Sequence, residues 1–134
     1  MKTQITSDFF GNYQTEKELY DKVKGWIRQH LVGIMIRLPE INKNVELSWQ
    51  GLKNDLNEYH PPYEKKLISF AVLPEVIENS KFVVMEKDKA GKPDVKAVYK
   101  FSSSVIIDNE EFDVVIIIKE TVKAFIYDHI LLKK

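Results

Sequence analysis

Phe112-Asp113-Val114-Val115-Ile116-Ile117-Ile118-Lys119 is the stretch that decides how this chain folds. Five consecutive β-branched residues, Val114 to Ile118, are stiff at χ1 and fit a pleated strand better than a helix. The apolar run is continuous instead of alternating, which predicts a strand covered on both faces. It starts after the acidic turn Asp108-Asn109-Glu110-Glu111 and stops at Lys119-Glu120-Thr121. Strand-like runs flank it, Val95 to Ile107 before and Val122 to Leu132 after. Three successive strands with short connections predict an antiparallel meander with this stretch in the middle.

Working outward, Lys81 to Lys87 reads as one more strand, followed by a loop tip at Asp88-Lys89-Ala90-Gly91-Lys92-Pro93. The triplet Ser102-Ser103-Ser104 predicts a bulge or a change of strand partner before Val105. Helical signals dominate upstream. Thr15-Glu16-Lys17-Glu18 fits a capping box, and Leu19, Val23, Trp26, Ile27 and His30 recur at helical spacing. His30 lies where an imidazolium complements the helix dipole. Ile34 to Leu38 and Val45 to Trp49 form a predicted hairpin. Gln50 to Tyr59, Tyr63 to Val72 and Glu75 to Asn79 read as short helices, the first ended by His60-Pro61-Pro62. The expected fold class is α+β, with N-terminal helices packed on a twisted antiparallel sheet of four to five strands. The whole chain, 1–134, reads as a single domain, with residues 1–14 as an arm, 15–32 as a helix and 33–134 as the α+β core.

Composition narrows the function classes. The 134 residues are 44% hydrophobic with seven Phe, a globular balance. Lys and Arg number 20 and so do Asp and Glu, giving zero net charge. Binding of a polyanion would therefore need a local basic patch. The absence of cysteine excludes thiolate zinc sites, disulfides and cysteine nucleophiles. No apolar run approaches the roughly 18 residues of a membrane span. No membrane partner is expected, and the localisation is read as cytoplasmic or as delivery into a bacterial cytoplasm within a larger protein. No metal-ligand spacing, P-loop or dinucleotide fingerprint is legible, so no cofactor is expected.

A pool of His, Lys, Ser and Tyr remains, and it suits metal-free RNA cleavage, with a base for the 2′-hydroxyl, an acid for the leaving oxygen and cations for the phosphorane. His60 is held beside a Pro-Pro break. Tyr127 and His129 are two apart on one strand and share a face. Lys53, Lys65 and Lys66 are candidates for a phosphate track, and Ser103, within its triplet, for a hydroxyl. Each has an ordinary alternative: an idle loop histidine, an edge-strand pair, solvated lysines, a bulge.

Ser48-Trp49-Gln50-Gly51-Leu52-Lys53, leading into a helix, and the closing strand Phe125-Ile126-Tyr127-Asp128-His129 resemble the small domains of phage head-associated and polymorphic-toxin proteins. These are grouped with the barnase, EndoU, colicin and RelE-like nucleases, and the resemblance runs from Leu31 to the C-terminus. It implies a nuclease-like core over 33–134 and a metal-independent ribonuclease toxin cleaving RNA, such as tRNA, by general acid–base transesterification. His60, His129, Tyr127, Lys53 and Ser103 would be catalytic, and Lys65, Lys66 and Ser48 would contact RNA. RNA is then the substrate and an immunity protein a partner. Family members often carry His after the Gly-Leu-Lys run, where this chain has Asn54, and Asn is no general base. The competing readings are a non-enzymatic immunity or phage accessory protein and a small-ligand-binding domain.

Overall fold

The computed structural model describes residues 3–87 and 94–134. The expected loop tip at 88–93 lies outside the described residues. In chain order the elements are β1 (Gln4–Ile5), α1 (Glu16–His30), β2 (Met35–Leu38), β3 (Lys43–Glu46), α2 (Trp49–Asn57), α3 (Tyr63–Ser69), α4 (Leu73–Glu78), β4 (Lys81–Glu86), β5 (Val95–Ile107), β6 (Glu110–Thr121) and β7 (Phe125–Lys133). The architecture is α+β, with the helices preceding a mostly antiparallel five-stranded sheet.

The predicted meander is present as β5-β6-β7, with β6 in the middle. Asp108 and Asn109 form the two-residue turn between β5 and β6, both at positive φ, as a type I′ hairpin requires. The other edge of β5 is shared: β4 pairs with it antiparallel as far as Ser102, and β1 pairs with it parallel from Ile106. The serine triplet therefore marks a change of partner. It is not a bulge against β6, because Ser102, Ser103 and Ser104 pair in regular register with Val115, Val114 and Asp113. Residues 1–14, read as an arm, supply β1 and a short helical turn, and Phe10 and Tyr13 pack on the core.

Coverage of β6 differs from the expectation. Phe112, Val114, Ile116 and Ile118 are buried, while Val115 and Ile117 are only partly so. The strand alternates because the helices cover one sheet face. Its apolar run is continuous because the opposite face is also largely β-branched, set beside Lys100, Asp113, Lys119 and Asp128.

One hydrophobic cluster runs from Leu19 to Leu131 and joins every helix to the inner sheet face. Leu19, Val23 and Ile27 of α1 are fully buried in it. The Thr15 hydroxyl accepts the Glu18 amide at 3.1 Å, as the capping box predicts, while the Glu18 carboxylate takes the Gln14 amide at 3.2 Å. His30 is exposed at the end of α1 and stacks near Trp26. The predicted hairpin forms as β2-β3, a separate two-stranded sheet.

Candidate functional site

The interior of an α+β domain normally excludes charge, yet Asp55, Lys66 and His129 are all essentially fully buried here. Their burial begins with Gly51. A methyl group at that position would lie 2.5 Å from the Phe125 carbonyl oxygen and closer still to the Tyr127 ring, so glycine lets α2 press against the free edge of β7. Ser48 caps α2, its hydroxyl accepting the Gly51 amide at 3.1 Å. One turn on, the Asn54 amide donates to the Tyr127 carbonyl at 3.2 Å, and the His129 amide donates to Asp55 Oδ1 at 2.9 Å. Both backbone groups point off the same strand edge, where a further strand would otherwise bind. Asn54 and Asp55 replace that strand and satisfy polar groups that burial would leave orphaned.

From Asp55 a hydrogen-bonded chain extends in two directions. Inward, Asp55 Oδ2 pairs with His129 Nδ1 at 2.5 Å, and His129 Nε2 meets Ser69 Oγ at 2.7 Å. Phe70 closes over the imidazole edge-on, with ring centroids 4.8 Å apart. Outward, Lys66 Nζ contacts Asp55 Oδ1 at 3.2 Å, Asp128 Oδ1 at 3.1 Å and the Glu58 carbonyl at 2.8 Å. Asp128 Oδ2 then pairs with His60 Nε2 at 2.8 Å. The chain thus passes around the β7 edge, from the core face carrying His129 to the open face carrying Asp128.

Ser69, His129 and Asp55 stand in the order of a nucleophile, base and orienting acid. The Ser69 hydroxyl, however, donates to the Lys66 carbonyl at 2.5 Å and is 2% exposed. That hydroxyl is thus engaged by a backbone carbonyl as well as by the imidazole, and it is enclosed away from any substrate. Lys66 lies between two carboxylates, Asp55 and Asp128, and Asp55 is also hydrogen-bonded to the His129 ring, contacts that make the burial tolerable. Burial pushes the Asp55 carboxyl up, but the charge and hydrogen bonds of His129, together with Lys66, outweigh it and hold the group below its ordinary range.

The remaining expected residues disperse. Tyr127 shares the inner face with His129, as their spacing predicts, but that face is interior; the phenol donates to the Glu46 carbonyl and burial pushes its ionisation well up. Lys66 is no part of an exposed phosphate track, because its ammonium is enclosed. Lys65 is tied to Asp108 at 3.1 Å, and Lys53 is exposed on α2. Ser103 Oγ donates to the Val76 carbonyl at 2.7 Å. His60 alone among the expected histidines reaches solvent at the site, its side chain 28% exposed.

Asp55, Ser69 and Asp128 escape the sequence reading, although each carries a signal. Asp55 falls on the same helical face as Leu52 and Leu56, Ser69 interrupts the run Leu67 to Phe70, and Asp128 adjoins His129 in an otherwise apolar strand.

Beside the outer end of this network lies an open cleft of about 450 Å³, lined by Asn54, Glu58, Asp94, Ile117, Lys119, Ile126 and Asp128 among others. Among the described lining residues, three carboxylates, Glu58, Asp94 and Asp128, accompany one cation, Lys119. Among the described residues no helix is long and apolar enough to cross a membrane. Residues 14–127 match the family described as "Large polyvalent protein-associated domain 3". No curated protein and no solved structure matches.

Proposed function

We propose, for a chain that belongs to the large polyvalent protein-associated domain 3 family, that it is a non-enzymatic accessory module of a larger, phage-type polyvalent protein. The observation that carries this reading is the enclosure of Lys66, Tyr127 and His129, groups that RNA cleavage would need at a surface. The cleft beside the network is lined by Glu58, Asp94 and Asp128, and carboxylates repel a phosphodiester. Exposed apolar side chains suit docking of a protein neighbour instead. Val83 and Met85 on edge strand β4 are 61% and 59% exposed, and Leu132 on the open sheet face is 49% exposed.

One observation favours the ribonuclease reading. His60 Nε2 and Asp128 form a mostly buried dyad at 2.8 Å whose Asp128 lines the cleft, and a carboxylate that orients an imidazole suits general acid–base work. In that reading the wider resemblance to barnase, EndoU, colicin and RelE-like nucleases makes the domain a toxin with an immunity protein as partner. Incubation of the purified chain with total RNA in excess EDTA separates the two. The accessory reading expects intact RNA and no saturable RNA binding at physiological salt. Release of 2′,3′-cyclic phosphate ends, lost in His60→Ala, would put the metal-independent ribonuclease in its place.

A further inference from the structure

We infer that Glu58, His60 and Asp128 form a binding site for one divalent transition-metal ion, with Zn2+ as the working probe. His60 Nε2 and one carboxylate oxygen from each of Glu58 and Asp128 lie within 4.8 Å of one another. Ligands about 2.1 Å from a shared zinc ion stand roughly 3 to 4 Å apart, so the exposed Glu58 side chain must swing inward and the 2.8 Å contact between His60 Nε2 and Asp128 Oδ2 must open slightly to admit the ion. An imidazole with two carboxylates suits Zn2+, Mn2+ or Fe2+ better than the oxygen-only ions Ca2+ and Mg2+.

The surroundings prepare this set for a cation. Asp128 divides its two oxygens: Oδ1 is held at 3.1 Å by the enclosed Lys66 ammonium, which leaves Oδ2 turned to His60. That is an outer-shell contact fixing a ligand's orientation. Lys66 does not cancel the attraction, since Asp55 at 3.2 Å shares its charge. Glu58 is held from behind as well, because its carbonyl accepts the same ammonium at 2.8 Å. Glu58 and Asp128 both line the open cleft, which supplies an entry path and room for water or a ligand on the remaining coordination positions.

This inference does not rest on the docking reading. It competes with acid–base use of His60, because the ion and the proton claim the same nitrogen. The test is calorimetric titration of the chelator-treated full chain with Zn2+, together with visible absorption on adding Co2+. The expected result is one ion per chain. Glu58→Gln and His60→Ala should each lower Zn2+ affinity by roughly 10- to 100-fold or more, since even an outer-shell change costs that much. His30→Ala, remote from the cluster, should bind as the parent does. Glu58→Gln keeps the backbone carbonyl that Lys66 uses, so its thermal melt should match the parent's. Failure of the parent to bind one Zn2+ saturably overturns the site, as does binding unchanged in both variants.

Discussion

Replacing Lys66 by Met tests whether the enclosed charge cluster holds the fold together. Methionine nearly preserves the volume of the aliphatic stem and removes only the ammonium. Three contacts vanish, to Asp55, Asp128 and the Glu58 carbonyl. Breaking a buried ion pair by deleting one partner costs about 3–5 kcal/mol, because the other charge stays enclosed. Two compensations favour the lower end. Asp55 keeps the imidazole and amide of His129, and Asp128, 20% exposed, keeps His60. A loss of about 3 kcal/mol is therefore expected, which lowers Tm by roughly 10–15 °C in a domain of this size. Adding Asp55→Asn removes the stranded carboxylate, so the double variant should be less destabilised than the sum of the two singles by about 1–3 kcal/mol. Urea unfolding followed by Trp26 and Trp49 fluorescence measures all four proteins. A Lys66→Met chain within 0.5 kcal/mol of the parent, on the order of an ordinary surface substitution, would refute the reasoning, and strict additivity would show that the two groups are not coupled.

Gly51→Ala should destabilise by about 1–3 kcal/mol through overpacking against Phe125 and Tyr127, although alanine is the better helix former by about 1 kcal/mol; an unchanged or raised urea midpoint would mean that α2 does not press on β7. Ile116→Asp should abolish cooperative unfolding, because it buries a carboxylate with no partner, whereas Ile117→Asp on the open face should keep a single sharp melt by circular dichroism; equal behaviour of the two would contradict the one-sided coverage of β6.

The meander is legible from local chemistry alone, since β-branched runs, an Asp-Asn turn and a capping box each act within a few residues. Coverage of the sheet is not local. Val115 and Ile117 have the composition of buried positions, and only the placement of every helix on the opposite face leaves them partly exposed. The site is harder to read for the same reason. Asp55 reaches His129 across 74 residues and Ser69 reaches it across 60, so no spacing in the sequence joins them. What the chain does display is polar residues at positions that an apolar period reserves for the core: Asp55 between Leu52 and Leu56, Lys66 before Leu67, and His129 between Tyr127 and Leu131. Asn54, where the nuclease-like domains often carry His, reads as a lost base; in the structure its amide secures the Tyr127 carbonyl instead. The same reasoning separates His60 from Tyr127, because residues 127 and 128 of one strand face opposite ways.

The order in which the chain is made bears on the parallel pairing of β1 with β5. Gln4 aligns with Ile106, and α2, finished by residue 57, finds its resting place on a strand that ends at residue 133. A ribosome working N-terminus first therefore exposes helices whose apolar faces have nothing to cover until most of the domain has emerged. Such long-range closure slows folding and prolongs the exposure of sticky surfaces. Until then the first half of the fold waits with its apolar faces only partly covered. Asp55 and Lys66, carried on the faces of α2 and α3 that end up enclosed, stay in water during that wait and become a matched set with Asp128 and His129 only when β7 arrives.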